Sequence, residues 1–403
     1  MKFLFIIFLS ITSLLIYSQD SLKITFYNLL NFPSSQQDRT DTLKKILDYI
    51  KPDIFVVNEL TSFNGGALIK NNVLNAGGSN IYQSALFFDG PDTDNLLFYN
   101  QNKFSLYSQQ QIPTQLRDIS EYVLYYKNQI NLVSDTSFIY VYSIHLKAGN
   151  SPINEELRRQ EAESFKQFLI NNNRNERLII GGDFNFYYAL EPGCQEILYG
   201  QGLNLADPIN QMGNWHNSSS FKNIHTQSTR SATGGYAGGA YGGMDDRFDI
   251  IFVSNDAING ASGLKYIENT YIAEGQDGSY FNQALNNVNN SQVPQEIANA
   301  LFYMSDHLPV SLSFYLNSPT SILIQESDKI KFIKGYNYLN VDFMENQILD
   351  VTIYDLNGRV LYKDKTYNQK QIEIDLLYFR KGLYIINCNL QNERINHKFI
   401  IDL

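Results

Sequence analysis

Gly181-Gly182-Asp183-Phe184-Asn185 closes one apolar run, Arg177-Leu178-Ile179-Ile180, and Ser305-Asp306-His307-Leu308-Pro309 opens another, Pro309-Val310-Ser311-Leu312. Short apolar runs of this kind read as buried strands. A buried strand that ends by presenting an Asp and an Asn aims polar groups at a ligand. A second strand that begins at Asp-His adds a carboxylate and an imidazole. Carboxylates, an amide and an imidazole brought together in this way suit a phosphate group.

Working outward, Lys23 to Tyr27 reads as a strand ending at Asn28. Asp41 to Ile50 places Leu43, Ile46, Leu47 and Ile50 at helical spacing, and Pro52 stops the helix. Ile54 to Val57 is a short buried strand that delivers Asn58 and Glu59. Further strand-like runs cover Leu96 to Tyr99, Tyr122 to Tyr126 and Phe138 to Ile144, and the last delivers His145. Glu155 to Ile170 predicts a second helix with Leu157, Phe165, Phe168 and Leu169 facing inward, and Phe248 to Val253 another strand. Strand-helix-strand order with many further strands predicts two packed sheets with helices outside.

The chain has 403 residues, which favours two domains over one. Its 43% hydrophobic content supplies a core, and 28 Tyr with 26 Phe favour strands. The net charge is −10; Pro319 to Leu403 carries 11 basic and 11 acidic residues, so the acidic excess lies upstream. No basic tract offers bulk electrostatic binding of nucleic acid, although a metal can supply positive charge at a scissile phosphate. Lys2 precedes an apolar run from Phe3 to Tyr17, too short for the roughly 18 residues of a membrane span, and Ser18 leads to a cleavage point near Gln19 or Asp20. Residues 1–19 therefore read as a secretory signal peptide on an exported chain, with no transmembrane segment afterwards. Cys194 and Cys388 read as two free thiols, although export permits a disulfide.

Six polar signals adjoin apolar strands and are expected at one end of them: Asn28, Glu59, His145, Asp183 with Asn185, Asp249, and Asp306 with His307. Singly, each has an ordinary explanation: a turn cap, a solvated Glu or a satisfied core His. Six together form an inventory for cleaving a phosphate ester. A hard divalent cation takes oxygen ligands, which Glu59 with Asn28 or Asp306 can supply while waters complete the shell. Such a cation polarises a phosphoryl oxygen, and an imidazole held by a carboxylate accepts a proton from water.

The ordered set Tyr27-Asn28, Pro52-Asp53-Ile54 to Asn58-Glu59, Ser143-Ile144-His145-Leu146, Gly182-Asp183-Phe184-Asn185, Arg247-Phe248-Asp249-Ile250-Ile251 and Ser305-Asp306-His307-Leu308-Pro309 resembles the endonuclease/exonuclease/phosphatase superfamily, whose familiar member is pancreatic deoxyribonuclease. The resemblance spans residues 22 to 316 and implies a four-layer α/β sandwich. It further implies that Glu59 binds catalytic Mg²⁺ (or Mn²⁺), with Asn28 nearby on metal or phosphate and Asp306 as a second metal ligand. It implies that Asp249 orients His307, that Asp183 and Asn185 position the nucleophile and phosphate oxygens, and that His145 contacts phosphate or serves as general acid. Arg117 is similar to a phosphate-contacting Arg of such nucleases; the alternative is a surface Arg paired with Asp118. Asn58 stands where the family commonly has Gln, and no second acidic residue is evident near Asp94 to Tyr99. The activity implied is a nuclease on extracellular DNA or RNA. The alternatives are a phosphatase or sphingomyelinase-like phospholipase, and a non-catalytic binding protein.

Gly234-Gly235 to Gly242-Gly243, with Tyr236 and Tyr241, is either a substrate loop beside Asp249 or a plain flexible loop. Asp89 to Asp94 is either a solvated turn or a structural Ca²⁺ site with an incomplete ligand pattern. Near Asn317 to Ser321 small polar residues and Pro319 mark a linker, assigned to residues 317–322 between a catalytic domain at 20–316 and a tail at 323–403. The tail is purely strand-like, with a hairpin turn at Asn357-Gly358, and predicts a small β-sandwich. Val351 to Leu361 followed by Lys381-Gly382-Leu383-Tyr384 resembles the C-terminal sorting domain of the type IX secretion system, the alternative being an adhesive or carbohydrate-binding module. That resemblance implies the secretion machinery as a partner and export through the outer membrane to the cell surface or medium; the chain is expected to be a monomer.

Overall fold

The computed structural model describes residues 20–34, 38–127, 138–232, 238–287, 289–316, 322–326, 330–334, 338–376, 378–380, 382–389 and 394–401. The expected signal peptide at residues 1–19, residues 317–321 of the expected linker, and Gly234 to Tyr236 of the glycine-rich loop lie outside the described residues. In chain order the elements are β1 (Ser21–Phe32), α1 (Thr40–Ile50), β2 (Ile54–Leu60), α2 (Phe63–Leu68), β3 (Tyr82–Ser84), β4 (Asp94–Asn100), β5 (Phe104–Ile112), β6 (Ile119–Tyr126), β7 (Phe138–His145), α3 (Pro152–Asn171), β8 (Leu178–Asp183), α4 (Pro192–Tyr199), β9 (Leu205–Ala206), β10 (Asp249–Ser254), α5 (Asn255–Asn259), β11 (Leu264–Tyr266), β12 (Ile272–Ala273), α6 (Gln295–Met304) and β13 (Val310–Leu316).

These strands form two sheets, ordered β11-β13-β1-β2-β4-β3 (with β12 on β13) and β5-β6-β7-β8-β10-β9. Each sheet contains one parallel pair, β1 with β2 and β7 with β8. Parallel neighbours need a crossover, supplied by α1 in the first sheet and α3 in the second. One apolar core joins the first sheet to α1 and α6 and runs between the sheets; another joins β7, β8 and β10 to α3 and α4. The result is a four-layer α/β sandwich.

The parallel pairs place Asn28, Glu59, His145 and Asp183 towards the C-terminal ends of their strands. Asp249 opens β10, and Asp306-His307 immediately precede β13. Those two strands are antiparallel to β8 and β1, so their starting ends meet the same edges. The six signals thus share an edge rather than an end of the strand.

Asn28 lies within β1 rather than at its end. Asn28 pairs with Asn58 and Phe32 with Leu60, so Leu29, Leu30 and Asn31 bulge opposite Glu59. A bulge bends the strand and re-aims its side chains. Leu30, Asn31 and Glu59 all take positive φ, at 49°, 51° and 57°, conformations that tertiary contacts must hold.

Helix α3 departs from its sequence reading. Phe165 and Leu169 are buried, but Leu157 and Phe168 are only partly so, while Arg158, Glu161 and Lys166 face inward. The charges are partnered: Arg158 Nε lies 2.5 Å from Glu191 Oε1, with both side chains fully buried, and Lys166 donates to the carbonyls of Ile197 and Leu203. Polar pairing of this kind lets a charged face substitute for an apolar one.

The tail comprises β14 (Ile322–Glu326), β15 (Ile330–Lys334), β16 (Tyr338–Asp355), β17 (Val360–Asp375), β18 (Gly382–Asn389) and β19 (Arg394–Ile401), all antiparallel. They make one continuous sheet in which β16 pairs with β15 through its first half and β18 through its second. Ile330, Phe332 and Val341 from one half share a core with Val351, Ile386 and Phe399 from the other. Gly358 turns the β16–β17 hairpin at φ 79°. Cys194 and Cys388 are buried free thiols. No described helix is long and apolar enough to cross a membrane.

Candidate active site

The first sheet contributes Asn28, Glu59, Asp306 and His307; the second contributes His145, Asp183, Asn185 and Asp249. In the second sheet, His145, Asp183 and Asp249 stand side by side in register. The sheets approach closely because Gly181 has no side chain: a Cβ there would meet the Phe26 ring at 2.6 Å. Gly182, at φ 132°, lies so near the Ile144 carbonyl that a Cβ would come within 2.1 Å of its oxygen. Both glycines of the Gly-Gly-Asp-Phe-Asn stretch are therefore required by packing.

Asn28 Nδ2 donates to Glu59 Oε1 at 3.0 Å and to Asp183 Oδ2 at 3.1 Å, tying two carboxylates from different sheets. Asn28 Oδ1 accepts from Leu30 N–H at 3.0 Å. In this arrangement Asn28 meets the carboxylates as a donor, and its oxygen is engaged elsewhere. Glu59 Oε2 accepts from Asn31 N–H at 3.0 Å, across the bulge. His145 Nε2 lies 3.5 Å from Asp183 Oδ2 and 3.8 Å from Glu59 Oε1.

Ligand atoms of Glu59, His145 and Asp183 all fall within 4.8 Å of one another. Burial pushes the Glu59 and Asp183 carboxyls above the usual carboxylate range; for Asp183, Asp249 and Glu59 push further, against the pull of His307. Among the described residues neither carboxylate has a Lys or Arg ion pair. Two adjoining carboxylates, Asp183 buried and Glu59 largely so, with no Lys or Arg beside them fit a divalent ion, which would relieve both desolvation and mutual repulsion. Asp306 stands apart from that group. Its Oδ2 accepts from Ala240 N–H at 2.6 Å and Gln227 Nε2 at 3.2 Å, while Oδ1 is buried without a hydrogen-bond partner.

His307 Nδ1 lies 2.7 Å from Asp249 Oδ2, and its Nε2 lies 3.7 Å from Asp183 Oδ2. Burial opposes charge on this imidazole, but Asp249, Asp183 and Asp306 prevail and hold its pKa well above the ordinary histidine value. His145 behaves oppositely: burial, then Arg117 and His307, hold it well below that value. Two imidazoles with opposite proton affinities therefore face the same carboxylates. Asn185 caps the turn, donating N–H to Asp183 Oδ1 at 3.1 Å and Nδ2 to the Leu146 carbonyl at 3.2 Å.

Arg117 pairs with Asp92 at 2.8 Å instead of Asp118, and reaches the Leu146 carbonyl just after His145. Asp89 to Asp94 forms a turn in which Asp94 Oδ1 accepts from Gly90 N–H at 2.7 Å. Among the described residues no group of three His, Cys, Asp or Glu ligands gathers there. Among its described residues, the glycine-rich loop reaches Asp306 through Ala240.

Three contributors were not apparent in the sequence. Arg39 donates to the carbonyls of Leu29, Leu30 and Asn31, and to Met304 just before Ser305. It fastens the β1 bulge to the segment carrying His307. Gln227 Nε2 lies 2.6 Å from His307 Nε2. His216, exposed, sits 2.6 Å from buried Asp246, with Asp245 close by. None lies in a strand or helix, so no periodic pattern singled them out.

The sequence matches the Endonuclease/Exonuclease/phosphatase family over residues 25–307 and the secretion system C-terminal sorting domain over residues 336–402. Similar solved structures include zebrafish (D. rerio) TDP2 complexed with single-strand DNA product, at 15% identity and TM-score 0.47, covering 73% of this chain and 99% of that one. The human Nocturnin catalytic domain is 17% identical with TM-score 0.46, covering 73% and 97%. An endonuclease/exonuclease/phosphatase from Bacteroides vulgatus is 13% identical with TM-score 0.46, covering 74% and 100%. The comparison with curated proteins gives no match. With a family match over most of its length around this constellation, the chain belongs to the endonuclease/exonuclease/phosphatase family and carries a type IX secretion sorting domain at its C-terminal end.

Proposed function

We propose that this chain is an exported, Mg²⁺- or Mn²⁺-dependent phosphodiester hydrolase acting on extracellular DNA or RNA. The observation that carries the reading is the convergence of Glu59, Asp183 and His145 with the Asp249–His307 pair. Glu59 and Asp183 would hold the metal, with Asp306 Oδ1 an additional oxygen facing no partner. When bound, that ion supplies Lewis-acid stabilisation of charge on the phosphoryl oxygens.

The chain's own residues do the rest. Asp249 holds the His307 Nδ1 edge, so its Nε2 is the atom that takes a proton from the attacking water. Neutralisation of Asp183 weakens the pull that keeps a proton on this ring, freeing Nε2 for that role. His145, neutral by burial, offers its Nε2 edge to a phosphate oxygen or to the leaving group. Asn185 positions Asp183 through its backbone N–H, and Arg117 would contact phosphate if it exchanges Asp92 for substrate.

Exposed Phe63 and Tyr241 support a nucleic-acid substrate. Phe63 follows the strand bearing Glu59, and Tyr241 adjoins Ala240, so both offer faces on which bases can stack. A second reading, phospholipid headgroup hydrolysis, draws on aliphatic Ile153 and Leu190, which are 74% and 77% exposed beyond His145 and Asn185. The sorting domain supports export through the outer membrane, and with an N-terminal signal peptide the substrate would lie outside the cell.

The purified chain with Mg²⁺ is expected to release acid-soluble nucleotide from DNA or RNA, and Glu59→Ala and His307→Ala to abolish it. Hydrolysis of sphingomyelin or inositol phosphates alone would move the reading to a phospholipase or phosphatase. Inactivity on the whole panel with Mg²⁺ and Mn²⁺ would leave a binding protein.

A further inference from the structure

Gln227 occupies an irregular segment, yet its backbone is fastened on two sides. It exchanges backbone hydrogen bonds with Asp246, and forms a bridge opposite His307. Thr226 beside it accepts from the N–H groups of Phe248 and Asp249 through Oγ1 and, through its carbonyl, from Leu308 N–H. Thr229 N–H donates to the Asp306 carbonyl at 3.0 Å. Residues 226 to 229 therefore bind the strand start at Asp249 to the strand start at His307. The Gln227 side chain projects from this rigid piece.

Its amide nitrogen faces two partners, Asp306 Oδ2 at 3.2 Å and His307 Nε2 at 2.6 Å. A primary amide nitrogen carries two hydrogens, enough for one bond to each. Asp306 Oδ2 is acceptor-only, which fixes the nitrogen on this side. The same nitrogen then presents a donor to His307 Nε2. In the neutral ring that serves as base, with Asp249 accepting from Nδ1–H, a donor at Nε2 selects the tautomer whose Nε2 lone pair points at the site.

We infer that Gln227 is a positioning residue for His307, clamping the imidazole between its own amide and Asp249 and linking it to Asp306. The inference deepens the hydrolase reading and rests on it for its effect on turnover. Substrate water reaches Nε2 by displacing one amide hydrogen, while the bond to Asp306 keeps the side chain in place.

The test uses the full chain, bis(p-nitrophenyl) phosphate with Mg²⁺, and long-range ¹H–¹⁵N spectra of the histidine rings. Gln227→Met matches the side chain in length but removes both donors. It is expected to lower kcat by about 10- to 100-fold with KM within about 2-fold, while the His307 ring nitrogens, read at a pH where the ring is neutral, shift from a single Nδ1–H tautomer towards a mixture. Gln227→Glu, with acceptors in place of donors, is expected not to rescue; Gln227→Asn, a shorter donor, restores part of the rate and provides a second variant should the Met form fold poorly. Unchanged kcat in Gln227→Met, or unchanged His307 ring signals in both Gln227→Met and Gln227→Asn, overturns the inference. The spectra need no turnover, so failure of the hydrolase reading, with inactive wild-type chain, is distinguishable from failure of this one.

Discussion

His307 Nδ1 stands 2.7 Å from Asp249 Oδ2, a pair 58 residues apart in the chain and supplied by different sheets. Both side chains are almost fully buried, so no water competes for the bond. Asp249→Asn keeps the shape and removes the charge that holds the ring. We expect kcat on bis(p-nitrophenyl) phosphate to fall by about 10²–10⁴-fold with little change in KM. Steady-state kinetics check this, and the same loss in His307→Ala would mark the two residues as one unit.

Glu59 and Asp183 are carboxylates whose pKa values burial raises in the metal-free chain. A raised carboxyl stabilises the fold fully below its unfolded pKa, and that stability is lost as pH rises through the folded value. The metal-free chain should therefore lose stability as pH rises out of the acid range, and Mg²⁺ should restore it. At a hundred times Kd the ion adds about 2.7 kcal/mol. Glu59→Gln should raise the metal-free Tm and shrink the Mg²⁺-dependent increase, both read from thermal melts with and without EDTA.

Asp94 is pushed up to about 6 by burial, with further upward pressure from Asp89, Asp118 and Asp92. Its protonation favours the folded chain: the benefit is complete below the unfolded value and gone above about 6. Asp94→Asn retains an oxygen for Gly90 N–H and removes the penalty. After allowance for solvent screening, it should stabilise the chain by about 1–2 kcal/mol at pH 7.5 and not at pH 4. Urea melts at the two pH values measure the difference.

Arg39 holds the left-handed residues Leu30 and Asn31 through their carbonyls, and reaches Met304 on the other side of the site. Arg39→Met leaves those buried carbonyls without a donor, at a cost of about 2–4 kcal/mol. We expect kcat to fall further than the loss of folded protein explains, because Glu59 faces that bulge. Activity measured below the new melting temperature separates the two effects.

What was readable in the sequence followed local pattern. Ile179-Ile180 and Val310-Ser311-Leu312 marked strands because apolar runs have few other uses, and their polar neighbours Asp183 and His307 stood out against them. Helix α1 was readable for the same reason: Leu43, Ile46, Leu47 and Ile50 are all buried. Helix α3 was less so, because Arg158 and Lys166 are buried by partners distant in sequence, Glu191 and the Leu203 carbonyl. Asn28 seemed to end a strand because nothing local signals a bulge. The length of β16 was not readable, because Glu345-Asn346-Gln347 interrupts the apolar pattern of a strand that runs from Tyr338 to Asp355. Gln227 and Arg39 act entirely through tertiary contacts, which single-chain periodicity does not encode.

Gly181, two residues before Asp183, rests against the ring of Phe26, two residues before Asn28. The two halves of the site belong to the two sheets that meet there, so the missing side chain sets the spacing between carboxylates and imidazoles. Turnover then doubles as a gauge of sheet separation. A methyl group at this position would act as a shim, leaving every catalytic side chain intact and the halves out of reach of each other.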